Sequence, residues 1–133
     1  MNIGAAAAES GVSAKMIRHY EAIGLLRPAE RRANAYRDYG PRDIHELKFI
    51  RRARRLGFSI AEIGELLALW RDRRRPSREV KRIADAHIGD LQARIAEMQA
   101  MANTLRDLVA ACHGDDRPDC PILDDLALGE AGG

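Results

Sequence analysis

Cys112 and Cys120 are the only cysteines in the 133 residues, and the segment between them is His113-Gly114-Asp115-Asp116-Arg117-Pro118-Asp119. Turn formers and acids dominate that segment. A thiolate is a soft ligand that selects Cu(I), Zn(II) and similar ions. Two thiolates alone suit an ion content with near-linear, two-coordinate geometry, which Cu(I), Ag(I) and Au(I) accept. Structural zinc takes four ligands instead. The spacing lets the two sulfurs meet without strain. Pro121 and Ile122 begin a short helix, to about Leu128, whose N-terminus favours an anionic sulfur at Cys120.

Other chemistries share the loop. His113 offers an imidazole that would move the site toward Zn(II) or Cu(II), although a lone loop histidine is more often solvated. His19, His45 and His87 are scattered and take no metal role. Asp115, Asp116 and Asp119 supply oxygens, but three carboxylates without further partners make a poor calcium loop. The two cysteines also fit an inert buried pair or a reversible disulfide that senses oxidants.

The element that must position the loop lies just before it. Arg78 to about Ala111 reads as one helix of roughly 34 residues, about 50 Å at 1.5 Å per residue. Ala84, Leu91, Met98, Leu105 and Cys112 recur every seven residues, and Ile88, Ile95, Ala102 and Val109 follow the first four by four. That is an a/d heptad pattern. One such helix cannot bury its own seam, and no second long helix exists in the chain, so a homodimer is expected.

Charge divides the chain. Residues 1–75 carry 16 Lys/Arg against 9 Asp/Glu, and residues 76–133 carry 6 against 11. The basic first part suits a polyanion, with DNA or RNA the first candidates. No apolar run approaches the roughly 20 residues that span a bilayer, and the Ala-rich start lacks a basic leader region. A cytoplasmic protein with no membrane partner is expected, where a disulfide is not the resting state.

Within that basic part, Ile3 to Glu9 reads as a short helix ended by Gly11. Ser13 caps a second, from about Ala14 to Ile23, closed by Gly24. Two short helices joined through Gly11-Val12-Ser13 have the layout of a helix-turn-helix. Ile17 packs inward, leaving Lys15, Arg18, His19 and Tyr20 around the remaining surface. Arg reads guanine edges in a major groove, while Lys and Tyr reach phosphates. Next, Arg31-Arg32-Ala33-Asn34-Ala35-Tyr36-Arg37-Asp38-Tyr39 reads as two short strands around a turn, a basic wing that grips flanking backbone.

Ile3-Gly4, Gly11-Val12-Ser13, Ile17-Arg18-His19-Tyr20-Glu21, Gly24-Leu25-Leu26 and Asn34-Ala35-Tyr36-Arg37-Asp38-Tyr39 together resemble the signature of the MerR family of winged-helix transcription regulators. Ala35 departs from it, since the family usually has Gly there. Cys112-His113-Gly114-Asp115-Asp116 and Asp119-Cys120-Pro121-Ile122 resemble the loop of that family's copper-efflux regulators (CueR-like). The likeness runs from Ile3 to Leu126.

The resemblance implies an antiparallel coiled coil and one monovalent ion held by Cys112 and Cys120 at the dimer interface. It also implies a transcription activator that distorts promoter DNA for RNA polymerase and switches on copper export or detoxification genes. Lys15, Arg18, His19, Tyr20, Arg31, Tyr36 and Arg37 are the expected DNA-binding residues. Divalent-ion sensors of the family carry a further cysteine where this chain has Ser77, so Ser77 argues for +1 ions. Ser77 also suits the N-cap of the long helix, and Lys81, one turn on, supplies compensating charge.

Two helices complete the first domain. Pro41 to Leu56 buries Ile44, Leu47, Ile50 and Ala53 and turns Arg51, Arg52, Arg54 and Arg55 to solvent or DNA. The other starts at Ser59, which forms a capping box with Glu62, and its Ile60, Ile63, Leu66, Leu67 and Trp70 read as core. Arg71 to Arg75 breaks the pattern and Pro76 ends it.

The expected fold is mainly α: a winged helix-turn-helix domain with two supporting helices over 1–75 and a dimerisation helix over 76–111. A metal loop with its short helix follows over 112–128, then a disordered tail over 129–133. No nucleophile–base set, phosphate loop or catalytic metal spacing points to an enzyme. A small-molecule sensor is disfavoured, because the C-terminal region is too short for a ligand domain.

Overall fold

The computed structural model describes residues 1–27, the backbone of 30 and 31, and 37–129. The expectations for Asn34, Ala35 and Tyr36, for the Arg31 side chain and for the tail from Glu130 lie outside these residues. The described chain forms two compact units, Met1–Asp85 and Ala86–Gly133. The division falls inside the long helix rather than at its start.

The first unit begins with α1 (Ile3–Ser10) and α2 (Ala14–Ala22). The Asn2 side chain accepts from the Ala5 N–H to start α1. Gly11 ends it at φ +77°, in the left-handed region. Ser13 then caps α2, its Oγ accepting from the Met16 N–H at 3.2 Å. This is the turn expected between the two helices of a helix-turn-helix. β1 (Glu30–Arg31) and β2 (Arg37–Asp38) pair antiparallel, Glu30 opposite Asp38 and Arg31 opposite Arg37. The two strands expected of a wing are therefore present and paired, and the turn between them lies outside the described residues.

α3 (Pro41–Arg55) starts with Pro41 at its first turn, and the Asp43 carboxylate accepts from the Gly40 N–H at 2.8 Å. Ile44, Leu47, Ile50 and Ala53 are buried, as their spacing predicts. α4 (Ile60–Arg71) carries the expected capping box: Glu62 N–H donates to Ser59 Oγ, and Ser59 N–H donates to Glu62 Oε1. Ile63 and Leu67 reach the core, and Ile60 packs against it. Trp70 does not. It is 42 % exposed, its ring tilted against Phe49 at a centroid distance of 6.0 Å. Helical spacing puts Trp70 on the buried face, but it falls in the last turn of α4, beyond Leu67 and the core.

The core of the unit is one cluster that joins Ala6, Val12, Ile17, Tyr20, Leu25, Leu26 and Tyr39 to the α3 and α4 residues. An ion pair inside it is not legible from periodicity. Glu46, on α3, is buried, and Arg71 grips it bidentately, Nε to Oε1 at 2.7 Å and Nη2 to Oε2 at 2.8 Å. The same guanidinium donates to the Leu25 carbonyl at 3.3 Å. Arg71 thus ties α3, α4 and the segment after α2 together, whereas its sequence neighbours read only as a charged break. Burial pushes the Glu46 carboxyl up. Hydrogen bonding and charge from Arg71, with Arg42 adding to them, outweigh this and hold it below its ordinary range.

α5 (Ser77–Ala111) runs 35 residues, about 50 Å. It passes without a break through Gly89, a residue that costs a helix interior about 1 kcal/mol relative to Ala. α6 (Pro121–Leu128) follows the cysteine loop. The second unit has little core of its own. Ile88, Ile95, Met98, Leu105 and Val109, all on the heptad seam, are at least half exposed. Leu123, Leu126 and Leu128 of α6 are mostly exposed as well.

Candidate nucleic-acid interface and metal centre

In the first unit, Ser13 and Ile17 fix the face that α2 presents. Ile17 is fully buried, and this leaves Lys15, Arg18 and His19 exposed, as the reading of a groove-binding helix requires. Tyr20 corrects that reading. Its ring is in the core, because it lies three residues after Ile17 on the same helical face. Its hydroxyl accepts from Arg54 Nη1 at 2.9 Å, so Tyr20 acts on α3 rather than as part of the exposed surface.

Arg37 has a structural role as well. Its guanidinium donates to Glu21, and the Tyr39 hydroxyl donates to the other oxygen of the same carboxylate. Hydrogen bonds to Tyr39 and Glu21 raise the Arg37 pKa, and burial together with the Glu21 contact pushes the Tyr39 phenol up. Arg37 therefore locks the wing strand β2 onto α2. Glu21 is the residue that sequence reasoning missed. Its place four positions after Ile17, on the buried face, was the available signal.

In the second unit, α5 ends directly before Cys112, whose N–H donates to the Leu108 and Val109 carbonyls, both at 3.1 Å. Cys120 is the N-cap of α6, and its carbonyl accepts from the Asp124 N–H at 3.0 Å. The backbones of the two cysteines are thus held at the end of one helix and the start of the next. Both are free and half-buried. Between them Asp115 is occupied by Arg117, which donates through its backbone N–H at 2.9 Å and through Nε at 2.9 Å. His113, Asp116 and Asp119 are exposed. The donor set that is partly withdrawn from water is therefore the sulfur pair. Its softness fits a d10 ion better than a hard cation. Ser77 and Lys81, in the first unit, are both exposed, and Ser77 is the first residue of α5 rather than the residue before it.

A family model described as MerR HTH family regulatory protein matches residues 1–70, and another, described as MerR, DNA binding, matches residues 44–108. The chain belongs to the MerR family. It is 58 % identical over 131 residues to heavy metal-dependent transcription regulator 2 of Rhizobium meliloti strain 1021, covering 98 % of this chain and 89 % of the relative. It is 41 % identical over 127 residues to the regulator CueR of Salmonella typhimurium strain LT2, covering 96 % and 92 %. Among solved structures it resembles PbrR691 of Ralstonia metallidurans CH34 in complex with lead(II). That match has a TM-score of 0.83 and 31 % identity over 95 % of this chain and 98 % of the other. The mainly helical MerR-type fold read from the sequence is therefore the fold of the chain, and its relatives are transcription regulators, not enzymes. No helix among the described residues is long and apolar enough to cross a membrane.

Proposed function

We propose that this MerR-family protein is a Cu(I)-responsive transcription activator, able to take Ag(I) or Au(I) in the same site, that acts as a cytoplasmic homodimer on promoter DNA. One observation carries the proposal: the two reduced, half-buried thiols of Cys112 and Cys120 at the adjoining ends of consecutive helices. They would hold the ion, which supplies two sulfur–metal bonds closing the loop. Ser77, where a third thiol would serve a divalent ion, supports a +1 charge, with Lys81 as compensating cation. Relatives named for heavy metals and a CueR at 41 % identity support a metal effector.

The remaining steps belong to the chain. The exposed seam of α5 pairs with a second copy, giving the two-fold symmetry of a palindromic operator. Residues 1–75 bind DNA through Lys15, Arg18 and His19, with Arg31, Tyr36 and the partly exposed Arg37 on the wing. Residues 76–111 dimerise, and residues 112–128 sense. The dimer has two arrangements, and closing the cysteine loop favours the one that distorts the promoter for RNA polymerase. Such distortion costs about 1–6 kcal/mol, within reach of a tight thiolate site.

Transcription from the target promoter tests this. Copper should activate through the wild type, while Cys112→Ser and Cys120→Ser should bind the promoter and stay silent. Retained copper activation in either variant rules out the two-thiolate site. A divalent or lead(II) sensor is the second reading, favoured by the PbrR691 likeness. On the Cu(I) reading, Ser77→Cys should broaden the response toward divalent ions. An unchanged selectivity would leave Ser77 a purely structural residue.

A further inference from the structure

We propose that Asp85 on α5 pairs with Arg106 of a second copy of this chain, and that the two such pairs in a dimer set the register of its seam and select its partner. The inference rests on the homodimer reading. It adds the residues that decide which chain is accepted and in what alignment.

α5 is continuous from Ser77 to Ala111, so its heptad positions keep one phase along their length. The seam is unfilled, with Ile88, Ile95, Met98, Leu105 and Val109 at least half exposed. Side-chain volumes along it are uneven. A parallel pair stacks each residue on its own copy, so Ala84 would meet Ala84 and Ala102 would meet Ala102. Both layers would be underpacked, beside a crowded layer of Leu91 on Leu91. An antiparallel pair with Ile95 against the partner's Met98 sets Leu91 against the partner's Ala102 and Ala84 against the partner's Val109. Large then faces small along the seam.

The charges beside the seam favour the same arrangement. The residues that follow Ala84, Leu91, Met98 and Leu105 are Asp85, Gln92, Gln99 and Arg106, and they line one flank. Charges at such flanking positions set partner choice and orientation. In the antiparallel pair this flank meets its own copy, with Asp85 opposite the partner's Arg106 and Gln92 opposite the partner's Gln99. In a parallel pair Asp85 would face the partner's Val80 and Arg106 the partner's Met101. A slip of one heptad in the antiparallel pair sets Arg106 against the partner's Arg78 in one direction and against the partner's Gln92 in the other. Of these arrangements the central register alone pairs the charges, and one neighbouring register is opposed by like charge.

Both side chains are exposed. Arg106 donates through Nη1 to Asn103 Oδ1 at 3.2 Å, which leaves the other N–H groups of its fork for a carboxylate. Along one helix Asp85 and Arg106 lie roughly 30 Å apart. Any coupling between them is therefore a contact between two copies.

The test uses the reduced, metal-free full chain as wild type, Asp85→Arg, Arg106→Asp and the double variant Asp85→Arg/Arg106→Asp. Sedimentation over a dilution series reads the dimer dissociation constant. Each single variant sets like charges face to face at both ends of the seam and should raise that constant about tenfold. The effect should shrink in about 1 M salt. The double variant restores opposite charges and should return to within about threefold of wild type. A mixture of the two single variants, one of them tagged, decides the matter, because a dimer with one chain of each carries two matched pairs. Mixed dimers should exceed random assortment severalfold. Asp85→Asn/Arg106→Gln repeats the test should a charge reversal fold poorly, and its dimer should be weaker and less sensitive to salt than wild type. Single variants that dimerise as tightly as wild type, or random assortment in the mixture, overturn the pairing while leaving the homodimer intact. A wild-type chain that stays monomeric overturns both.

Discussion

Every buried hydrophobic residue described in the chain lies at or before Ile83, and the large apolar residues of Ala86–Gly133 are predominantly exposed. Met1–Asp85 closes its own core: α1, α3 and α4 pack Ala6, Leu47, Ile63 and Leu67 together, and Glu46–Arg71 sits among them as a paired charge. The second unit instead holds out a stripe from Ile88 to Val109 and an apolar α6. The same chain thus contains one region whose stability is internal and one whose stability must come from outside. A regulator benefits from that division. On the proposed function, the DNA-binding unit keeps its shape, while the second unit depends on association and on the ion its loop would hold.

The contrast can be broken most forcefully at Glu46. Arg71→Ala should leave a buried carboxylate without its bidentate partner and cost the first unit about 3–5 kcal/mol, read as a lower urea midpoint. A loss below about 1 kcal/mol would mean the pair is not part of the core. In the second unit, Ile95→Asp with Leu105→Asp should leave the melting of the first unit nearly unchanged yet make the protein a monomer by sedimentation, where the proposed function expects a wild-type dimer. A dimer that survives both charges would place its interface elsewhere.

Acid sharpens the same comparison. The folded Glu46 carboxyl is held low, so its contribution is present above the unfolded carboxylate range, near pH 4, and fades as pH falls through the lower folded value. Wild-type stability should therefore drop with acid below about pH 4 more steeply than that of Glu46→Gln. Parallel acid profiles would remove the pair from the explanation. The smallest effect expected is at the capping box: Ser59→Ala should cost about 1 kcal/mol, confined to the first unit.

The amino-acid pattern made these two regions legible to different depths. Helix boundaries followed from local chemistry at Gly11, Ser13, Pro41 and Ser59, where a cap or a left-handed residue settles the outcome within a few positions. The extent of α5 was legible from its apolar spacing, and the helix runs on through Gly89. Polar residues on buried faces were not. Tyr20, Glu21 and Glu46 fall at core positions, but their types suggest surface. Only the packed structure supplies the partners Arg54, Arg37 and Arg71 that offset the cost of burying them. Trp70 erred in the other direction, because spacing along a helix does not say where the core beneath it stops. In the candidate metal loop, the two cysteines are proposed as ligands from type and spacing. The anchoring of each cysteine backbone at a helix end, and the occupation of Asp115 by Arg117, needed the structure.

The measurement that bears most directly on the metal reading is a competitive titration of the reduced protein with Cu(I), Zn(II) and Pb(II), following occupancy of both thiols in the wild type and in Cys112→Ser. One Cu(I) per subunit, bound far more tightly than Zn(II) or Pb(II) and absent from the variant, is the predicted result. Tight Zn(II) or Pb(II) binding with weak Cu(I) would contradict it and move the protein to the divalent branch. No tight binding of any of the three would leave the cysteine pair to reversible oxidation.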